Sequence, residues 1–212
     1  LLSGILVISN GPVMTVSGLV VEGGTLLGDH TWDAASSPIE VKDNISIPAG
    51  SSLVIENGVT VIISDGAWIE VMGSLIVEGT EGSEVVFIPE EGKTFERINI
   101  SSGAYARIEH LNLSGSTGGI AVQGTDTIAH IYNSTITSSG RGVTSTTSAV
   151  VWLVNSTVNG SPRLSVNGGE LHESYWMFFM VMLDNDGGPF EGARLKLTVK
   201  RYTTDRDAYN SQ

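Results

Sequence analysis

The chain is 212 residues long, 41% hydrophobic and 16% charged, a composition that excludes a disordered chain and accommodates one large core plus a small second unit. Its net charge is −12, and from Leu1 to Gly92 the only base is Lys42, so this acidic surface repels phosphate backbones and argues against nucleic-acid binding. Cysteine is absent, which removes disulfide staples and thiolate metal sites, while 26 glycines against 6 prolines anticipate many tight turns.

Leu1 to Ile8 is apolar but shorter than a membrane span, and without a basic n-region it reads as a mature or trimmed end. Pro12 to Glu22 alternates apolar and polar residues and is expected to supply one or two strands covering the open end of the fold. Residues 1–30 are thus expected to form an N-terminal cap. Trp32 is expected in the core, and Asp29, His30 and Asp33 around it lack metal-ligand spacing and read as a loop cluster.

From Ser37 to Pro89 no helical period appears. β-Branched and aliphatic residues alternate with polar ones, and Gly, Pro, Asn or Asp breaks the runs, which predicts short strands. Gly50-Ser-Ser-Leu-Val-Ile-Glu56 returns as Gly73-Ser-Leu-Ile-Val-Glu78, a self-similarity at about 22 residues that marks a solenoid. A single coil cannot bury its own apolar face, whereas stacked coils share one core. The period continues through Ile98 and Ile100, then Ile120 and Val122, then Val143 and Val166. A second column aligns His110-Leu-Asn-Leu113, Asn133-Ser-Thr-Ile136 and Asn155-Ser-Thr-Val158, with Leu113, Ile136 and Val158 as its apolar members.

On these motifs, from SPIEV and IPAGSSLVIENGVTVII to the two NST coils, the chain resembles the right-handed parallel β-helix family, the pectate-lyase-like solenoids. The resemblance implies an all-β, right-handed parallel β-helix over residues 31–168. It also implies a fold shared by lyases, hydrolases, adhesins and surface-layer proteins. The lyases of that family need clustered Asp or Glu ligands for calcium with an Arg or Lys base nearby, and the hydrolases need grouped Asp. Here the acids after Gly92 within the solenoid are Glu96, Glu109 and Asp126, no two of them one coil apart in a shared column. His110 and His130 read as structural turn histidines. Trp68 and Trp152 fall in strand patterns, and the solenoid's aromatics, Trp32, Trp68, Phe87, Phe95, Tyr105, Tyr132 and Trp152, show no common column for a glycan platform.

Composition changes at Ser161 to Gly169, so residues 169–212 are expected to form a separate C-terminal β-hairpin. Asp184-Asn-Asp-Gly-Gly-Pro-Phe-Glu-Gly-Ala193, between an apolar run and the alternating Arg194 to Lys200, resembles the opening of an immunoglobulin-like or carboxypeptidase-regulatory-like sandwich. The run Trp176 to Leu183 is too apolar to stay exposed, and Trp176, Phe178, Phe179, Val181 and Leu183 are the expected assembly contacts. Asp184 and Asp186 look like the start of a calcium loop without its remaining ligands. No cofactor or metal is expected, a structural calcium being the one candidate without a complete motif.

Six N-x-[ST] sequons punctuate the chain, at Asn44, Asn99, Asn112, Asn133, Asn155 and Asn159. Strand parity points Asn99, Asn112 and Asn44 outward, so they rank first as glycosylation sites, followed by Asn159. Asn133 and Asn155 occupy equivalent turns and read mainly as an internal ladder. The expected function is a secreted, glycosylated, non-enzymatic cell-surface, surface-layer, sheath or filament subunit that assembles with its own copies through its terminal segments. The alternatives are a polysaccharide lyase or hydrolase and a carbohydrate-binding adhesin.

Overall fold

The structure, a computed structural model, describes residues 18–175. Each coil carries three short strands. The first holds β1 (Leu19–Val21), β2 (Gly24–Thr25) and β3 (Asp29–Trp32), followed by a 3-10 turn at Ala34–Ser36; the second holds β4 (Ile39–Val41), β5 (Ile45–Ile47) and β6 (Ser52–Glu56). Next come β7 (Thr60–Ile63), β8 (Ile69–Val71) and β9 (Ser74–Glu78), then β10 (Val85–Pro89), β11 (Ile98–Ser101) and β12 (Tyr105–Glu109). The last three coils are β13 (Leu111–Ser116), β14 (Ile120–Gln123) and β15 (Ile128–Tyr132); β16 (Thr135–Ser138), β17 (Val143–Thr146) and β18 (Val150–Val154); and β19 (Thr157–Asn159), β20 (Leu164–Asn167) and β21 (Glu170–Ser174).

Corresponding strands pair in parallel into three seven-stranded sheets that wrap one core, so the described residues form an all-β solenoid of seven coils. The first sheet begins with β1, the second with β2 and the third with β3. Because residues on a strand alternate between faces, each sheet sends one aliphatic set inward. The sequence echo is literal: Leu53 pairs with Leu75, Ile55 with Val77 and Glu56 with Glu78. Ile98, Ile100, Ile120, Val122, Leu113 and Ile136 are all fully buried, and Trp32 lies among the core residues as expected. No helix among the described residues is long and apolar enough to cross a membrane.

Three expectations change. The coils reach beyond 31–168 at both ends: β1 to β3 are regular members of the three sheets rather than a cap, and β20 and β21 complete the last coil. The composition change at 161–169 therefore falls inside the solenoid. Val143 pairs with Leu164, and Val166 pairs with Ser145 and is 40% exposed, so Val166 does not continue the Val143 column. Leu164 packs against the core instead. The rest of the expected cap and C-terminal hairpin, including the strand-like run from Trp176, lies outside the described residues.

Candidate functional site

The outer face of the second sheet carries a broad concavity lined by polar side chains. In β8, β11 and β14 the inward Ile69 and Val71, Ile98 and Ile100, and Ile120 and Val122 turn Glu70, Asn99 and Ala121 outward in one register column. Asn99 donates from Nδ2 to Glu70 Oε2 over 2.7 Å, and the Ser101 hydroxyl donates to Oε1. Both carboxylate oxygens are thereby engaged. Above them lies a cavity of about 880 Å³ lined by Glu70, Asn99, Gln123, Thr125 and Asp126 among others. A neighbouring cavity of about 390 Å³ shares Glu70, Asn99 and Gln123 and is walled by Trp68, Glu96 and Arg97. The long connection between β10 and β11 brings Glu96 and Arg97 there, anchored by the fully buried Phe95, and the two side chains pair with each other. Trp68 precedes β8 and is 37% exposed. This surface offers amides, hydroxyls and carboxylates to a hydroxyl-rich ligand, with one indole at its edge.

In the third sheet Tyr105, Tyr132 and Trp152 fall in three different columns, as expected, but histidines join Trp152 in its own. His130 pairs in register with Trp152, and Trp152 with His172. Their rings lie nearly parallel, Trp152 on His172 at 4.0 Å and His130 to Trp152 at 6.4 Å between centroids. Tyr132, two residues along the strand, has its ring parallel to that of His130 to within 2°, and Tyr105 flanks the group. Counting only Trp, Tyr and Phe hides this column, because two of its three members are histidines. His130 is accordingly a strand residue rather than a turn residue, and burial lowers its pKa. At 4.0 Å the His172 ring covers one face of the Trp152 indole, a face a sugar would otherwise stack upon.

The NST motifs are explained by the turns they make. His110, Asn133 and Asn155 share a left-handed backbone, φ 46°, 48° and 49°, a conformation Asn and His tolerate better than most residues. Asn155 Nδ2 donates to Asn133 Oδ1, and Asn133 Nδ2 lies 3.4 Å from His110 Nε2, so the ladder forms with a histidine as its first rung, but on the exposed surface of the turns rather than internally. The next residue in each coil points inward: the Leu111 N–H donates to Ser134 Oγ and the Ser134 N–H to Ser156 Oγ, so two buried serines satisfy backbone donors between coils.

The remaining sequons separate by contact. Asn99 is outward but half-buried and tied to Glu70. Asn44 is half-buried, its Oδ1 accepting the Trp68 N–H. Asn159 is exposed and donates to Thr137 Oγ1 over 3.3 Å. Asn112 is exposed on the first sheet, and no hydrogen-bond partner of its side chain occurs among the described residues.

Asp29, His30 and Asp33 diverge rather than cluster. Asp29 accepts from Ser52 Oγ at 2.6 Å, the His30 ring lies 3.0 Å from the Leu27 carbonyl, and Asp33 caps the 3-10 turn. The hydrogen bonds from Ser36 hold the Asp33 pKa down. Glu56, Glu78 and Glu109 stand in one column of the third sheet, a relationship hidden by considering only the acids after Gly92, and Arg107 pairs with Glu109 at 2.7 Å. Among the described residues no three His, Asp or Glu side chains converge to hold a metal ion. Trp176, Phe178, Phe179, Val181 and Leu183, and the Asp184 and Asp186 turn, lie outside the described residues. Compared with known proteins, the chain matches no family model, no curated protein and no solved structure.

Proposed function

We propose that the chain is a non-catalytic extracellular scaffold, a cell-surface, surface-layer, sheath or filament subunit, in which a rigid solenoid displays ligand-facing and modified surfaces. The observation that carries this reading is the employment of the histidines. A proton-shuttling histidine aims a ring nitrogen at a substrate-accessible point. His30 instead contacts the Leu27 carbonyl, His110 faces Asn133, His130 sits between Tyr132 and Trp152, and His172 stacks on Trp152 beside Glu170. His110, His130 and His172 thus bridge neighbouring coils, and His30 braces its own turn. The sequons and the acidic composition support the extracellular placement, and the apolar run Trp176 to Leu183 supports assembly of copies through the terminal segments.

The groove over the second sheet favours a second reading, a carbohydrate-contacting surface, through the juxtaposition of Glu70, Asn99, Gln123 and Trp68. One pair of measurements tests the scaffold reading. Incubation with acidic and neutral polysaccharides, with and without calcium, should give no turnover; turnover abolished by Glu70→Gln would overturn the scaffold reading. Removing residues 176–212, which spares β21, should leave a folded solenoid that no longer forms the native polymer. A truncated chain that still polymerises would place the contact elsewhere.

A further inference from the structure

Six sequons are chemically equivalent as text, but the fold makes them unequal. Transfer of a glycan to asparagine requires the side-chain amide nitrogen to leave its existing contacts, and requires the hydroxyl two residues on to be within reach of the transferase. Asn133 and Asn155 spend their amides on the turn ladder, where a left-handed backbone also fixes the side-chain direction. Asn99 gives its amide to Glu70, and its sequon hydroxyl, Ser101, goes to the same carboxylate and is buried. Asn44 is half-buried with its oxygen held by Trp68, and its sequon hydroxyl, Ser46, donates to Thr25 Oγ1. Asn159 is engaged by Thr137.

Among the described residues Asn112 alone of the six combines exposure with an amide and a sequon hydroxyl that both lack a hydrogen-bond partner. It is exposed at the second position of β13, with Val86 and Thr135 as its register neighbours. Leu113 turns inward and is fully buried, which puts Asn112 and Ser114 side by side on the outer face. Neither of their side chains has a hydrogen-bond partner among the described residues. Beyond Leu113 the pairing of β13 with β16 loses register before resuming at Ser116. Such a bulge loosens the ladder over Ser114 and Gly115, the stretch a transferase would have to grip.

We infer that Asn112 is the glycan attachment site of this chain, an inference that rests on the extracellular reading above. The reaction joins Asn112 Nδ2 to the anomeric carbon of a sugar delivered on a lipid-linked phosphate. The bond from that carbon to the phosphate oxygen breaks, its electron pair leaves on the phosphate, and one amide proton is lost to a base. The glycan then stands on the first sheet over the threonines at 135 and 157, which share its column, and leaves the groove over the second sheet open.

The test combines two measurements on the full chain from its native source: protease shaving of intact cells, which reports surface location, and glycopeptide mapping by mass spectrometry. Sugar on Asn112, with Asn99, Asn133 and Asn155 bare, is the expected result. A surface-located chain whose Asn112 is bare overturns the inference while leaving the extracellular reading standing. A chain that shaving does not reach overturns that reading and the inference with it. Variants expressed in the same cells sharpen the result. Asn112→Gln should remove the sugar mass and keep the thermal midpoint of the deglycosylated parent, since no described residue hydrogen-bonds the Asn112 side chain, whereas Asn99→Gln should retain the sugar. Sugar persisting in Asn112→Gln sinks the assignment.

Discussion

Asn155 donates from Nδ2 to Oδ1 of Asn133 in the preceding coil over 2.8 Å, and both residues hold the left-handed backbone that aims their side chains along the solenoid axis. The pair therefore does two jobs, one of conformation and one of hydrogen bonding, and substitutions can separate them. Asn133→Ala loses both and should destabilise by about 2–3 kcal/mol, the sum of a left-handed backbone penalty and a lost hydrogen bond. Asn133→Gly keeps the backbone conformation and should cost about 1 kcal/mol. Urea denaturation measures both; an alanine variant as stable as the parent would refute the ladder.

Ile100 is fully buried between Val71 and Val122 in the second sheet. Replacing it with aspartate puts an unpaired carboxylate into the stacked core, and a loss of several kcal/mol is expected. Ile100→Val, which removes one methyl group, should cost only about 0.5–1.5 kcal/mol. Thermal unfolding reports both, and an aspartate variant melting with the parent would move Ile100 to the outside.

Gly119 and Gly66 both have positive φ, 56° and 71°, yet their surroundings differ. A Cβ at Gly66 meets nothing within 4 Å, whereas one at Gly119 would overlap the carbonyl oxygen of Gly142 in the next coil. That carbonyl accepts the Ile120 N–H at 3.0 Å, so it cannot retreat without breaking the stack. Gly66→Ala should cost about 1–2 kcal/mol from backbone conformation alone. Gly119→Ala should exceed about 4 kcal/mol or prevent folding. Equal losses in the two variants would show that coil-to-coil contact at Gly119 is looser than the geometry implies.

Arg163 grips Glu173 with two hydrogen bonds of 2.6 and 2.7 Å, and Tyr175 adds a third at 2.7 Å, closing the last coil. The Arg163 contact, with help from Tyr175, lowers the Glu173 pKa. A carboxylate whose native pKa lies below its unfolded one contributes stability that is present above the unfolded value and disappears as pH falls through the native value. The chain should therefore lose stability in acid below the usual glutamate range, and Glu173→Gln should flatten that part of the profile. At neutral pH the same substitution should cost about 1–3 kcal/mol. Melting temperature against pH checks both; an unchanged acid limb in Glu173→Gln would assign the acid sensitivity to other carboxylates.

The solenoid and most of its inward columns are legible in the bare sequence, because both follow from local rules. Strand residues alternate between faces, and a coil that cannot bury itself repeats its pattern at nearly constant length. Leu53 over Leu75, Ile98 over Ile120 and Leu113 over Ile136 can be read for that reason. So can the Asn133 and Asn155 ladder, whose partners lie 22 residues apart. Features that depend on unequal coils or on contacts across turns emerge only when the chain is folded. Glu70 and Asn99 are 29 residues apart because the connection through Phe95 lengthens their coil, so a fixed period passes over the groove they share. The shorter last coil puts Leu164 where the pattern suggests Val166. Which sequon keeps a free amide lies beyond any reading of the motif, since Asn99 and Asn112 have the same parity in similar strands. What separates them is the carboxylate of Glu70, brought to Asn99 by the stacking of coils and not to Asn112.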